Sequence, residues 1–132
     1  MQLTSLFHYT VETAKSVQEA IASLGASLQE EKFGILWQLN MKEKLNEKGL
    51  DYDPNYYILE VCNPVEAKRA LSENPLIGYV LPCKITVYEK DGRTSIGLPR
   101  PTALLRLAGG EAMQPLAEDV EQRLIRCIDR SL

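Results

Sequence analysis

The chain has 132 residues, of which 45% are hydrophobic and 25% charged, a composition that suits one globular domain and excludes a disordered or fibrous protein. Its formal net charge is −3 and its lysines and arginines form no basic cluster, which disfavours nucleic-acid binding. No apolar run approaches the roughly 20 residues that a membrane-spanning helix needs.

The chain starts with residues 1–4, which lack the charged beginning and long apolar stretch of a signal peptide, so we expect a cytoplasmic protein. Residues 6–12 alternate between apolar and polar and predict a half-buried strand with Phe7, Tyr9 and Val11 on one face. The segment Ser16-Val17-Gln18-Glu19 is typical of a capping box. It predicts a helix that runs to about residue 31.

Residues 33–41 predict a second strand, and one face of it carries Phe33, Ile35, Trp37 and Leu39. The polar residues 41–48 favour a surface helical turn that ends at Gly49. Residues 51–55 form a turn before the third predicted strand, residues 56–62.

Asn63 suits the N-cap of a second main helix, Pro64 its first position and Glu66 its third, and the helix continues to about residue 73. Residues 79–89 predict a fourth strand. Pro82 lies near the start of that strand, which indicates an edge strand or at least an unpaired position there.

Asp91-Gly92 is a hairpin signal, so residues 94–98 are expected to form a fifth strand beside the fourth. Residues 102–107 predict a short helix, and Gly109-Gly110 separates it from a last helix over about residues 113–130. That helix ends in Arg123, Arg126 and Arg130, where the helix dipole favours cations. A single mixed sheet with helices on one face is the simplest packing of this order.

The sequence resembles a known family, domain of unknown function 302, over nearly its whole length. The resemblance rests on an ordered set of segments: Tyr9-Thr10-Val11, Ser16, Gly34-Ile35-Leu36, Lys44, Lys48-Gly49, Ile58-Leu59, Cys62-Asn63-Pro64, Ala67, Ala70-Leu71, Ile77-Gly78, Leu81-Pro82-Cys83, Ile85 and Val87-Tyr88-Glu89. It implies a two-layer sandwich, commonly a homodimer, and no established activity, cofactor or substrate. The chain departs from the family pattern at Arg100-Pro101, so the resemblance implies no role for these two residues.

The expected fold is therefore α+β, a single-domain two-layer sandwich. Its one sheet is mixed but mostly antiparallel, with about five strands and with helices packed on one face.

The three cysteines include no CxxC pair, so reduced thiols are expected. Cys62 stands just before a helix start, where exposed amides can lower a thiol pKa, although a small residue filling a tight strand-to-helix joint explains it better. Cys83 falls on the apolar face of its strand and Cys127 on the apolar stripe of the last helix. Strict alternation puts Cys62 and Cys83 on opposite faces, so we expect no disulfide between them.

The remaining candidate residues are less typical of a catalytic or ligand-binding site. His8, the only histidine, is expected at the surface or at an interface, and no ligand spacing supports a metal site. Asp51 and Asp53 fit a solvated turn better than a catalytic pair. Gly109-Gly110 lacks the rest of a phosphate-binding loop. Tyrosines near the motif segments fit either a pocket or dimer interface, or half-exposed sheet positions: Tyr52, Tyr56, Tyr57, Tyr79 and Tyr88.

Because no catalytic constellation is visible, the sequence favours a non-enzymatic, homodimeric binding or interaction domain without a cofactor. One alternative is a thiol-dependent enzyme or redox sensor that uses Cys62. Another is a small-anion or metabolite site at the Asn63-Pro64 helix start. Any binding site is expected to involve Cys62, Asn63, Pro64 and Cys83.

Overall fold

A computed structural model describes residues 4–132, so the signal-peptide expectation, which rests mainly on residues 1–3, lies outside the described residues. The strands are β1 (His8–Thr13), β2 (Gly34–Asn40), β3 (Tyr56–Cys62), β4 (Cys83–Lys90) and β5 (Arg93–Pro99). The α-helices are α1 (Thr4–Phe7), α2 (Val17–Glu30), α3 (Met41–Glu47), α4 (Pro64–Glu73), α5 (Pro101–Gly109) and α6 (Gln114–Ser131). Two 3₁₀ turns cover Pro75–Tyr79 and Glu111–Met113.

The five strands form one sheet in the order β1-β5-β4-β3-β2, and every neighbouring pair is antiparallel. The expected α+β two-layer fold is confirmed. The mixed pairing that the sequence left open does not occur, because α2 carries the chain from one edge of the sheet to the other and the later strands fill the middle.

The main core lies between α2, α6 and the inner face of the sheet. The inner face is carried by alternate residues of the central strands, among them Leu59, Val61, Ile85 and Val87, all fully buried. In α6, Leu124, Cys127 and Ile128 are fully buried too, which confirms Cys127 as a core residue. The hydroxyl of Ser27 donates to the carbonyl of Cys127 at 2.8 Å and so joins the two helices.

Local signals account for the helix starts. Ser16 and Glu19 form the expected capping box at α2. Asn40 caps α3 by accepting from the Glu43 amide at 3.0 Å. The hairpin between β4 and β5 has Asp91 and Gly92 at φ 53° and 76°, the left-handed conformation that Asp-Gly turns adopt.

Two N-terminal expectations are wrong. Phe7 belongs to the short helix α1 and is 56% exposed, so the first strand starts only at His8. The register of β2 against β3 shifts between Ile35 and Trp37. Because a bulge of one residue moves all later side chains to the other face, Trp37 and Leu39 point away from the core that contains Phe33.

The start of the fourth strand also differs from the sequence pattern. Tyr79 ends a 3₁₀ turn, and β4 begins at Cys83. Pro82 therefore lies before the strand at an unpaired position, which was one of the two predicted alternatives. The other alternative, an edge strand, is wrong because β4 lies in the middle of the sheet.

Candidate functional site

A cavity of about 50 Å³ lies at the end of the β3–β4 pair, below α4. It is walled by residues from strands, helices and the 3₁₀ turn, including three of the four residues expected at a site, Cys62, Asn63 and Cys83. Apolar side chains make up most of the remaining wall: Phe33, Val61, Ala67, Ala70, Ile77, Val80, Leu81, Pro99, Pro101, Leu104, Leu105, Leu116 and Val120.

The two thiols line this one cavity although they alternate onto opposite faces of the sheet, as the sequence pattern predicts. Cys83 pairs with Val61 and therefore belongs to the inner face of the sheet. Cys62 is the last residue of β3, where the chain leaves the sheet for α4. The cavity lies around the end of the two strands, so residues from both faces of the sheet line it. Lys84, which belongs to the face of the sheet opposite the core, is also one of the lining residues. Both thiols are free.

Burial keeps both thiols protonated. It raises the pKa of the Cys62 thiol above its ordinary value. For Cys83, burial and the neighbouring Cys62 raise the pKa to about 11. Lys84 lies on the wall, but its ammonium pairs with Glu60 at 3.3 Å on the outer side of the sheet. The site therefore presents two neutral sulfurs at pH 7, and not a thiolate nucleophile.

Asn63 is buried and its side chain is already engaged. Its Oδ1 accepts from the amides of Val65 at 3.1 Å and Glu66 at 3.2 Å, and its Nδ2 donates to the Glu31 carbonyl at 3.4 Å. The amide of Ala67 donates to the Asn63 carbonyl, and Pro64 has no amide hydrogen. The start of α4 thus offers no free amide to an anion.

The carboxylate of Glu66 at the cavity wall is neutralised by two arginines. Arg69 contacts it at 3.0 Å from the next turn of α4, and Arg123 of α6 lies 3.7 Å away. With Lys84 paired to Glu60, each charged residue on the wall has an opposite charge beside it.

Sequence reasoning missed a second polar cluster around Glu121 of α6. This carboxylate is 5% exposed; it accepts from the amide and hydroxyl of Thr102 at 3.0 and 2.7 Å and pairs with Arg100 at 3.0 Å. It caps the start of α5, because Arg100 at the N-cap makes no capping hydrogen bond there. The sequence did contain one signal for the start of α5, namely Pro101, because proline is common at the first position of a helix. The cluster has a structural role, since Glu121 binds both Arg100 and Thr102 at the start of α5.

The other candidates do not converge on the cavity. His8 Nδ1 lies 2.8 Å from the Thr10 hydroxyl on the edge strand β1. Asp51 and Asp53 lie exposed in the turn before β3. Within residues 4–132 no three His, Cys, Asp or Glu side chains are grouped closely enough to hold a metal ion.

The tyrosines take several different roles. Tyr57 is buried, and its hydroxyl accepts from Gln18 at 2.9 Å and Asn40 at 3.0 Å. Tyr56 and Tyr88 stack with ring centroids 5.0 Å apart on the face of the sheet opposite the core. Tyr79 is 84% exposed on the 3₁₀ turn.

That second face of the sheet, called here the outer face, carries side chains that pair across the strands in rows. One row contains Leu39, Ile58, Thr86 and Gly97, and a neighbouring row contains Trp37, Glu60 and Lys84. Trp37 is 51% exposed and the next residue back, Leu36, is 62% exposed. The outer face thus combines apolar and aromatic side chains with two acid–base pairs, Glu60–Lys84 and Glu12–Arg93.

No helix among the described residues is long and apolar enough to cross a membrane. The sequence profile of the family described as domain of unknown function DUF302 matches residues 9–131. An uncharacterised conserved DUF302 protein from Bacillus stearothermophilus, known from a crystal structure, is 50% identical. Its TM-score is 0.92, and the match covers 96% of this chain and 98% of that one. No curated protein matches the chain.

Proposed function

The chain belongs to the DUF302 family, and we propose that it is a non-enzymatic interaction domain that works as a homodimer. The observation that carries the proposal is the outer face of the sheet, where Trp37, Leu39 and Ile58 lie beside the stacked pair Tyr56 and Tyr88. Aromatic residues are enriched at protein interfaces, whereas a solvated sheet face normally carries polar ones.

A second copy of the chain is the proposed occupant of this face. A two-fold symmetric interface brings the same patch together from both copies and must be complementary to itself. The apolar rows meet this condition. Glu60 and Lys84 meet it as well, because they lie side by side on the face and the Glu60 of one copy can face the Lys84 of the other.

The size of the face suits a dimer. Five strands about 4.8 Å apart and about seven residues long give a flat area of roughly 500 Å². The accessible area of side chains on such a face exceeds its flat area, so the face approaches the ~800 Å² that each partner contributes to a stable complex.

The two alternatives have weaker support. A thiol enzyme or redox sensor needs a thiolate at neutral pH, but burial raises the pKa of Cys62 and of Cys83. An anion site at Asn63-Pro64 needs free amides, but those of Val65, Glu66 and Ala67 are engaged. The free thiols support a reducing compartment, and we propose the cytoplasm of a bacterium as the location.

Sedimentation equilibrium tests the proposal. The wild type should sediment at twice the chain mass of 14.8 kDa. Trp37→Glu should raise the dimer dissociation constant by about thirtyfold, the effect of losing an interfacial hot spot of about 2 kcal/mol. Tyr79→Glu is the matched control, because it exchanges an exposed aromatic side chain for the same carboxylate away from the sheet.

The control variant should remain dimeric. A wild type that is monomeric at high concentration would contradict the homodimer. Dissociation by Tyr79→Glu with no effect of Trp37→Glu would place the interface elsewhere and contradict the assignment of the outer face.

A further inference from the structure

We propose that the cavity beside Cys62 and Cys83 is a binding site for a compact, uncharged, mostly apolar ligand. The proposal goes beyond the interaction domain above and does not depend on the oligomeric state. It rests on four properties of the wall, which are its size, its residue types, its charges and its hydrogen bonds.

The size of the cavity admits only a small molecule or the tip of a larger one. A volume of about 50 Å³ exceeds the roughly 10–15 Å³ that one water molecule needs. Engineered apolar cavities of about 150 Å³ stay dry and take up xenon or benzene, and this smaller cavity suits the smaller of those guests.

Small side chains keep the cavity open. Cys62, Ala67, Ala70 and Cys83 all lie on the wall, and a larger aliphatic residue at any of them would occupy part of the space. Protein interiors are otherwise packed as densely as organic crystals, and an empty cavity lowers stability. A guest that fills the space restores the lost contacts.

Charge excludes an ionic ligand. Glu66 is neutralised by Arg69 and Arg123, and Lys84 is paired with Glu60. A charged guest would therefore lose its hydration without gaining an unpaired counter-charge.

Hydrogen bonding excludes a strongly polar ligand. Oδ1 of Asn63 is occupied by two backbone amides, and its Nδ2 donates to the Glu31 carbonyl. The two thiols are protonated, weakly polar and polarizable, and they favour contact with soft apolar groups such as a thioether or an aromatic edge. An uncharged hydrocarbon or thioether group is the ligand chemistry that fits this wall.

Methyl NMR of the intact protein under xenon pressure, and with added dimethyl sulfide, tests the site. Both probes should shift the methyl resonances of Val61, Ile77 and Leu105 on the wall in a saturable way. The methyls of Leu28, which is buried outside the wall, should not move. Dimethylammonium matches dimethyl sulfide in size but carries a charge, and it should produce no saturable shift.

Variants locate the site. Ala70→Leu should abolish the xenon shifts, whereas Ala26→Leu, the same change at an exposed position of α2, should leave them intact. If Ala70→Leu does not fold, Cys83→Ala supplies the test in the other direction, because it enlarges the cavity and should increase xenon affinity severalfold. Absence of saturable shifts with both neutral probes, or equal binding of dimethylammonium, would overturn the proposal.

Discussion

The guanidinium of Arg123 lies 5.2 Å from the ring centroid of Phe33. Its Nη2 donates to the carbonyl of Glu31 at 2.8 Å, and its Nε donates to the Glu31 carboxylate at 3.3 Å. Glu31 is the C-cap residue of α2. Arg123 of α6 therefore satisfies the end of another helix, and it covers a phenylalanine that lines the cavity.

Replacing Arg123 should destabilise the fold. Arg123→Met keeps an apolar side chain over Phe33 but removes the donors to Glu31, at an expected loss of about 2 kcal/mol in the free energy of unfolding. Arg126→Met is the control, because Arg126 is half exposed and contacts Glu31 only at 3.6 Å; it should cost less than about 0.5 kcal/mol. Urea unfolding measures both variants. Equal effects would contradict the special role of Arg123.

Glu31 should make stability depend on acid pH. Burial of its carboxyl opposes ionisation, but the guanidiniums of Arg123 and Arg126 outweigh it and lower the pKa of Glu31 from its ordinary value of 4.5. The contribution to stability is thus present above the unfolded pKa and is lost as the pH falls through the folded one. Glu31→Gln should be less stable than the wild type near neutral pH. This deficit should shrink in acid; a deficit independent of pH would count against the linkage.

Gly97 should tolerate no side chain. A Cβ at this position would lie 2.5 Å from the Thr10 hydroxyl and 3.1 Å from the Tyr9 carbonyl across the β1–β5 pair. Gly97→Ala should therefore cost about 1–3 kcal/mol through overpacking. Gly34→Ala offers the same change on β2 with no atom within 4 Å, and it should be close to neutral. Thermal unfolding at one fixed protein concentration compares them, and equal losses would refute the steric argument.

The thiols should react slowly in the folded protein. Because burial raises the pKa of Cys62, its alkylation rate should rise with pH through a midpoint above the free-thiol value of about 8.5. Cys83, with a pKa raised to about 11, should be labelled mainly after unfolding. Mass spectrometry of iodoacetamide-treated protein, with Cys62→Ser as control, resolves the two sites. Rapid labelling of Cys62 at neutral pH would restore the thiol alternative.

Local sequence signals predicted most of the fold. The Ser16 capping box, the Asn63-Pro64 helix start and the Asp91-Gly92 hairpin act within a few residues, and each lies where the pattern indicated. The bulge after Ile35 was not visible, because no glycine or proline marks it and the alternation of β2 fits either face. The pattern consequently placed Trp37 on the same face as Phe33, which the structure contradicts.

The candidate site was predicted only in part. Cys62, Asn63 and Cys83 do border one cavity, although the two cysteines lie on opposite faces of the sheet as alternation predicted. The cavity lies at the end of the strands and is reached from both faces there, which alternation along a single strand does not predict. The partners of Glu121 lie at least 19 residues away and the Glu31 carbonyl that binds Arg123 lies 92 residues away, and no local pattern encodes these contacts.

The emission of Trp37 across a dilution series is the sharpest test of the proposed homodimer, since Trp37 is the only tryptophan and lies on the outer face. The homodimer predicts blue-shifted emission at high concentration and a red shift on dilution, at the same midpoint as the fall in sedimenting mass. Emission that stays constant while the mass halves would contradict an interface on the outer face, and a mass that is monomeric throughout would contradict the homodimer.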